Sequence, residues 1–171
     1  MSPPTMETLT ASCPCGSVEL HMEGAPIMSV VCYCDDCQSG ARQIEALPNA
    51  GAVVDIDGGT AYVLYRKDRF KCTKGAHLLK GYKLKQTSTT NRMVATCCNS
   101  AMFLAFDGAP HWVSVYRARI QGGTPPLQMR INTKFKRANS DIPKDVPGYA
   151  TVPVKFVGNL MAAKLRMLLH R

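Results

Sequence analysis

The 171-residue chain, 46% hydrophobic and carrying a net charge of +9, is long enough to bury one apolar core and too short for two full-sized domains. It opens without a basic start followed by an apolar run, and no apolar stretch approaches the ~18 residues of a membrane span, so neither a signal or transit peptide nor a spanning segment is expected. In the soluble, cytoplasmic setting this implies, the eight cysteines stay reduced, pointing to metal ligation or catalysis rather than disulfides.

Taken in chain order, residues 1–7 read as a tail. Val18, Leu20 and Met22 then alternate with Glu19 and His21, the period of a strand with one buried face. Runs of β-branched and aromatic residues predict further strands at 29–33, 52–56, 61–65, 93–97, 102–106 and 112–116, most of them bounded by Gly, Pro, Asn or Asp. Leu127, Met129 and Ile131 alternate with Gln128 and Arg130 as a last strand. Residues 136–152 have the composition of an exposed connector. From 153 to 171, Val154, Val157, Met161, Leu165 and Leu168 recur at steps of three and four while Lys155, Asn159, Arg166 and His170 take another face, and Pro153 suits a first helical turn. The expected fold is mainly β: a domain of short strands over 8–135 with a C-terminal amphipathic helix packed on it. A basic membrane-surface helix is the weaker alternative, because Gly158 interrupts it.

Two cysteine groups dominate the first forty residues: Cys13-Pro14-Cys15-Gly16 and Cys32-Tyr33-Cys34-Asp35-Asp36-Cys37. Zinc takes soft thiolates in a tetrahedron, and closely spaced cysteines converge on one ion at little loop-closure cost. Cys32, Cys34 and Cys37 supply three sulfurs and leave a fourth position open, the arrangement of catalytic sites; a distant Cys72 or His77 closing the shell is the structural alternative. Cys13 and Cys15 join the region of Cys97 and Cys98 in a second site of structural character.

The run from Ala11 to Pro26, then Val31-Cys32-Tyr33-Cys34-Asp35-Asp36-Cys37-Gln38, then Cys98-Asn99-Ser100-Ala101-Met102-Phe103, resembles the glutathione-dependent formaldehyde-activating enzymes, a family that also includes centromere protein V. The resemblance implies an Mss4-like β fold of sandwich or tent form. It also implies a structural zinc held by the equivalents of Cys13 and Cys15 with a later C-x-x-C, and a catalytic zinc held by those of Cys32, Cys34 and Cys37, where glutathione and formaldehyde combine. It therefore implies carbon–sulfur lyase chemistry on a small thiol such as glutathione. One departure stands out: aligned on Cys98, the family's later motif puts Ala95 where a cysteine belongs. Cys97 could substitute, but neighbours on a strand face opposite ways, so this site is expected to be three-coordinate, rebuilt or empty. Asn99, where the family has Gly, suits a positive φ.

The basic segment Arg66-Lys67-Asp68-Arg69-Phe70-Lys71, with Lys80, Lys83 and Lys85, offers charge for the carboxylates of glutathione or is simply a solvated face. Asp35 and Asp36 read as turn residues, with a role as base or ligand orienter the sharper alternative. A competing reading is a non-catalytic zinc-stabilised module for an anionic partner such as nucleic acid, with Tyr62, Tyr65, Phe70 and Tyr82 among the cations. A pocket opening onto the second cysteine group would separate the two readings.

Overall fold

A computed structural model describes residues 8–169; the expected tail at 1–7 and the final His170 and Arg171 lie outside the described residues. The elements run β1 (Thr8–Ser12), β2 (Glu19–Glu23), β3 (Met28–Cys32), α1 (Asp35–Glu45), β4 (Thr60–Arg66), β5 (Phe70–Lys74), β6 (Leu79–Tyr82), β7 (Thr90–Ala95), β8 (Ser100–Phe106), β9 (Trp112–Tyr116), β10 (Ile120–Gln121), β11 (Met129–Ile131) and α2 (Val154–Leu169). The fold is mainly β, with short strands in two sheets and a C-terminal helix, as the sequence leads one to expect. The smaller sheet has the order β10-β1-β2-β5 and the larger β11-β3-β4-β9-β8-β7-β6.

Alternation along the strands creates two cores on the two faces of the larger sheet. Val63 and Tyr65 of β4, with Val113 and Val115 of β9, face the smaller sheet, where they meet Ala11, Leu20 and Met22. Tyr62 and Leu64 of β4, with Tyr116 of β9, point the other way, towards Ile44 of α1 and Leu160 of α2. Strand β8 breaks the rhythm at a bulge. Phe103 pairs with Met93 but Ala101 pairs with Val94, so Met102 is left over and shares a core with Phe103.

Four expectations are corrected here. Residues 52–56 form no strand: the backbone N–H groups of Val53 and Val54 donate to the Glu45 carboxylate at 2.7 and 3.2 Å, and Ile56 is 93% exposed. The segment satisfies its donors on the end of α1 instead of on a ladder. The strand expected at 93–97 stops at Ala95, and the one expected from Leu127 begins at Met129, after a Pro125-Pro126 pair that cannot donate to a neighbour. Helix α1 was not foreseen. Cys34 caps it, Asp35 and Asp36 fill its first turn where the helix dipole favours acids, and Gln38, Ala41 and Ile44 are its buried side.

The fourth correction concerns the face of α2. The stripe Val154, Val157, Met161, Leu165 and Leu168, expected to pack inward, is exposed. The helix instead docks through Leu160 and Ala163, with Phe156 half-buried beside them, and His111 Nε2 lies 2.8 Å from the Leu160 carbonyl. Among the described residues, no helix is long and apolar enough to cross a membrane.

Two cysteine clusters and a candidate active site

Cys13 and Cys15 ride on the turn between β1 and β2. The Cys13 N–H donates to the Val18 carbonyl at 3.1 Å, and Gly16, at φ 72°, returns its N–H to Cys13 at 2.9 Å. Cys97 and Cys98 sit in the β7–β8 turn, where Asn99 adopts φ 50°. The two turns meet. Sulfur separations are 3.5 Å (Cys13–Cys15), 3.3 Å (Cys15–Cys97), 3.8 Å (Cys13–Cys97) and 3.9 Å (Cys97–Cys98), and all four sulfurs lie within 4.8 Å of one another. Thiolates ~2.3 Å from a tetrahedral ion stand about 3.8 Å apart, so donor type and spacing are compatible with a closed four-sulfur metal site. Cys97 and Cys98 both reach the cluster, against the expectation for neighbours on a strand, because they lie in a turn beyond the end of β7. Ala95, where the family's cysteine belongs, is fully buried at the end of β7. Hydrogen bonding with Ser17, through its hydroxyl and its backbone, lowers the Cys15 thiol to about 6.

Cys32, Cys34 and Cys37 converge where β3 runs into α1, again with their sulfurs within 4.8 Å of one another. Cys32 ends the strand, Cys34 is the helix cap and accepts the Cys37 N–H at 3.4 Å, and Cys37 belongs to the first turn. A helix N-terminus favours thiolate over thiol. Hydrogen bonds from Cys34 and Cys37, together with one from Asn132, hold Cys32 at about 3, while sharing with Cys32 pushes Cys34 and Cys37 up. The three therefore share one easily formed negative charge. Asn132 Nδ2 and Tyr62 Oη each donate at 3.5 Å, to Cys32 and Cys37 respectively. Among the described residues, no fourth Cys, His, Asp or Glu joins this group. Cys72 lies on β5 in the smaller sheet, bonded to the Lys74 carbonyl, and His77 is exposed in a 3-10 turn.

Behind the cluster a buried network fixes the chain between Cys32 and Cys34. The Tyr33 hydroxyl donates to Asp57 at 2.7 Å and accepts from Arg130 Nη1 at 2.7 Å, while Arg130 also forks onto Asp145 at 3.0 and 3.2 Å. Burial, reinforced by Asp57, raises the Tyr33 phenol and keeps it a donor. Gln38 adds bonds to the Tyr33 and Phe135 carbonyls at 2.8 and 2.7 Å. Asp57 and Arg130 have no sequence signal of their own as partners of Tyr33, since they lie 24 and 97 residues from it.

In front of the cluster lies a cavity of about 230 Å³, touched by all three cysteines and walled by Leu64, Leu104, Phe106, Trp112 and Phe156. Arg92 and Asp36 are the charged residues on its lining. Arg92 is 3% exposed, donates to the Asp36 carbonyl at 2.7 Å and lies directly over Gly40, where a Cβ would come within 1.8 Å of its Nε.

The family model described as glutathione-dependent formaldehyde-activating enzyme matches residues 8–131, which take in both clusters and β1 to β11. The chain belongs to this family. A solved structure of a Rhodobacter sphaeroides protein is similar at 18% identity and a TM-score of 0.48, over 68% of this chain and 91% of that one. No curated protein matches the chain.

For a glutathione-dependent formaldehyde-activating family member, the placement of cations bears on substrate binding. The basic residues singled out from the sequence do not line the three-cysteine cavity. Arg66 forks onto Asp68, with Nε at 2.9 Å; Lys83 pairs with Asp107 at 2.6 Å; and Lys67 donates to the Phe106 carbonyl at 3.3 Å. Lys80 stands 5.2 Å over the Tyr82 ring, Arg69 and Lys71 flank His21 on another surface, and Lys85 is exposed. Of the aromatics named for a stacking platform, Tyr62 and Tyr65 are buried in the core, the half-buried Phe70 ring packs 4.8 Å from that of Phe103, and Tyr82 is half-buried beneath Lys80.

Proposed function

We propose that the protein is a zinc-dependent carbon–sulfur lyase-type enzyme that makes or breaks the bond between a thiol, such as glutathione, and a small carbonyl compound. The observation that carries this reading is the three-thiol cluster at the N-terminus of α1, which lacks a fourth protein ligand among the described residues and opens onto a cavity. Family membership supports it.

Cys32, Cys34 and Cys37 would hold a zinc ion, whose positive charge would favour a thiolate or polarise a carbonyl oxygen. The chain supplies the rest. The α1 N-terminus and the Asn132 and Tyr62 donors stabilise negative charge on the cysteine sulfurs. The Tyr33–Arg130–Asp57 network keeps the loop in one geometry, and the apolar walls exclude water. In the forward direction the substrate sulfur attacks the carbonyl carbon, the C=O π pair moves to oxygen, and the proton lost by the thiol ends on that oxygen. The hemithioacetal contains every atom of both reactants, so no oxidant or reductant is needed.

Cys13, Cys15, Cys97 and Cys98 would hold a second zinc with no open position and a structural task. The non-catalytic nucleic-acid reading is less well supported, because Tyr62 and Tyr65 lie in the core and the three-cysteine cluster faces a recess lined mostly by apolar side chains.

Metal analysis of the purified protein is expected to return two zinc ions per chain, with Cys34→Ala losing one of them and all turnover of a thiol with an aldehyde. Glutathione should raise the Tm of the wild type, since a ligand of the folded state stabilises it. Protein free of zinc, or Cys34→Ala with full zinc and activity, would sink the proposal.

A further inference from the structure

We infer that the carbonyl partner accepted at the three-cysteine centre carries a compact apolar group, about the size of one aromatic ring, and that Phe156 of α2 sets this preference. The inference rests on the reading above and concerns the substrate of that same site.

Formaldehyde has no apolar group to bury. The cavity beside Cys32, Cys34 and Cys37 is nonetheless about 230 Å³ and is walled by two leucines and three aromatic rings. A dry apolar cavity of about 150 Å³ is enough to take benzene. The walls are built and fixed. The Phe106 and Trp112 rings sit 5.4 Å apart at 49°, Leu64 and Leu104 are buried on the same face of the larger sheet, and Phe156 of α2 packs against the second core. That helix is tied down by the His111 contact to the Leu160 carbonyl.

Charge agrees with shape. Among the described residues, no lysine lines the cavity, and its lone cation, Arg92, is buried, donates through Nη2 to the Asp36 carbonyl and keeps Nη1 without a partner. The space between the leucines and the rings would receive the apolar group attached to the carbonyl carbon, and Arg92 is the one cation on the wall that could meet a carboxylate of the thiol. Apolar enclosure with few polar groups selects by size and hydrophobic area.

The aromatic wall from α2 lies outside the family match. The matched residues end at 131, and Phe156 comes from a helix beyond them. The feature that narrows the cavity is therefore carried by a segment the family model does not cover, and specificity can differ here while the cysteine chemistry is retained.

The test uses the full chain and a built-in reporter, because Trp112 is the single tryptophan and lines the cavity. S-methylglutathione and S-benzylglutathione mimic the thiol adducts of formaldehyde and benzaldehyde but cannot react. S-benzylglutathione is expected to bind at least about tenfold tighter, in line with the discrimination that apolar pockets achieve, and to change Trp112 emission. Phe156→Ala should erase most of that preference, while Phe156→Leu, which keeps an apolar wall, should retain most of it. Equal affinity, tighter binding of the methyl compound, or binding of neither to protein that holds zinc overturns the inference. Zinc content measured on the same sample separates this outcome from failure of the zinc chemistry: a benzyl preference in zinc-free protein would keep the cavity assignment and remove the lyase reading.

Discussion

The two cysteine clusters are made from the same side chain and differ in what surrounds it. Cys13, Cys15, Cys97 and Cys98 hang on two hairpin turns, Cys13 buried and Cys15 and Cys97 exposed, with four sulfurs at near-tetrahedral spacing. Cys32, Cys34 and Cys37 lie between a strand end and a helix start, one sulfur short of a tetrahedron, with a buried network behind and an apolar recess in front. Sulfur number and neighbourhood, and not cysteine chemistry as such, are what would separate a structural clasp from the reaction centre proposed above.

The largest effect that can break this comparison belongs to the clasp. Cys13→Ser should release the metal of the first cluster and cost several kcal/mol, a fall in Tm of about 10 °C or more for a chain of this size. Calorimetry showing a smaller fall than for Cys34→Ala would reverse the assignment of structural and reactive roles. Next in size, Arg130→Met leaves the Tyr33 hydroxyl and Asp57 short of a buried partner and should lower stability by about 3 kcal/mol. Chelator competition should then show weaker metal binding at the second cluster and unchanged binding at the first.

Acid should sharpen the contrast further. Burial lowers the His111 pKa below its ordinary value of 6.5, opposed by the bond to Leu160 and aided by the nearby Lys164, Arg66 and Lys67. The fold therefore prefers neutral His111. This contribution is complete above pH 6.5 and is lost as pH falls from there through the lowered value, so hydrogen exchange in α2 should quicken on acidification. His111→Gln should flatten that response. The smallest effect is at the clasp turn, where Asn99 holds a positive φ. Asn99→Gly keeps the backbone freedom but loses the 2.9 Å bond from Asn99 Nδ2 to the Pro48 carbonyl and should cost about 0.5 kcal/mol, while Asn99→Ala, which also strains the turn, should cost about 1–2 kcal/mol, measured by urea unfolding.

Strands were legible where one face is buried and the partner is regular. Residues 112–116 coincide with β9, and Leu20 and Met22 point inward as their spacing implies. The second cluster was legible for a different reason: its three cysteines lie within six residues, so local spacing nearly determines their geometry. The first cluster was harder, because whether Cys97 and Cys98 share a side depends on where β7 ends, a matter of pairing with β8 that no local pattern encodes. Helix α1 hid behind its own cysteines. A cap at Cys34, acids at Asp35 and Asp36, and buried positions at Gln38, Ala41 and Ile44 mark a helix start, but Cys-x-Cys-x-x-Cys read first as a metal loop. The face of α2 was misjudged because composition favours the larger stripe, whereas small Ala163 beside Leu160 lets the backbone approach the sheet. The five apolar wall residues of the cavity come from four separate elements, β4, β8, β9 and α2, and only folding brings them together.

Strand β11 enters the larger sheet beside β3 and runs parallel to it, Met129 opposite Val30 and Ile131 opposite Cys32. The Tyr33 N–H waits for the Ile131 carbonyl, and the Cys32 sulfur for Asn132, its donor 100 residues later. At ordinary elongation rates that interval lasts roughly 5–20 s. On the ribosome, then, the clasp cysteines can find each other once the β7–β8 turn has emerged, while the reactive thiols remain without their cover until the last strand is made, and it is during that interval that they are most open to oxidation or to capture by the wrong metal.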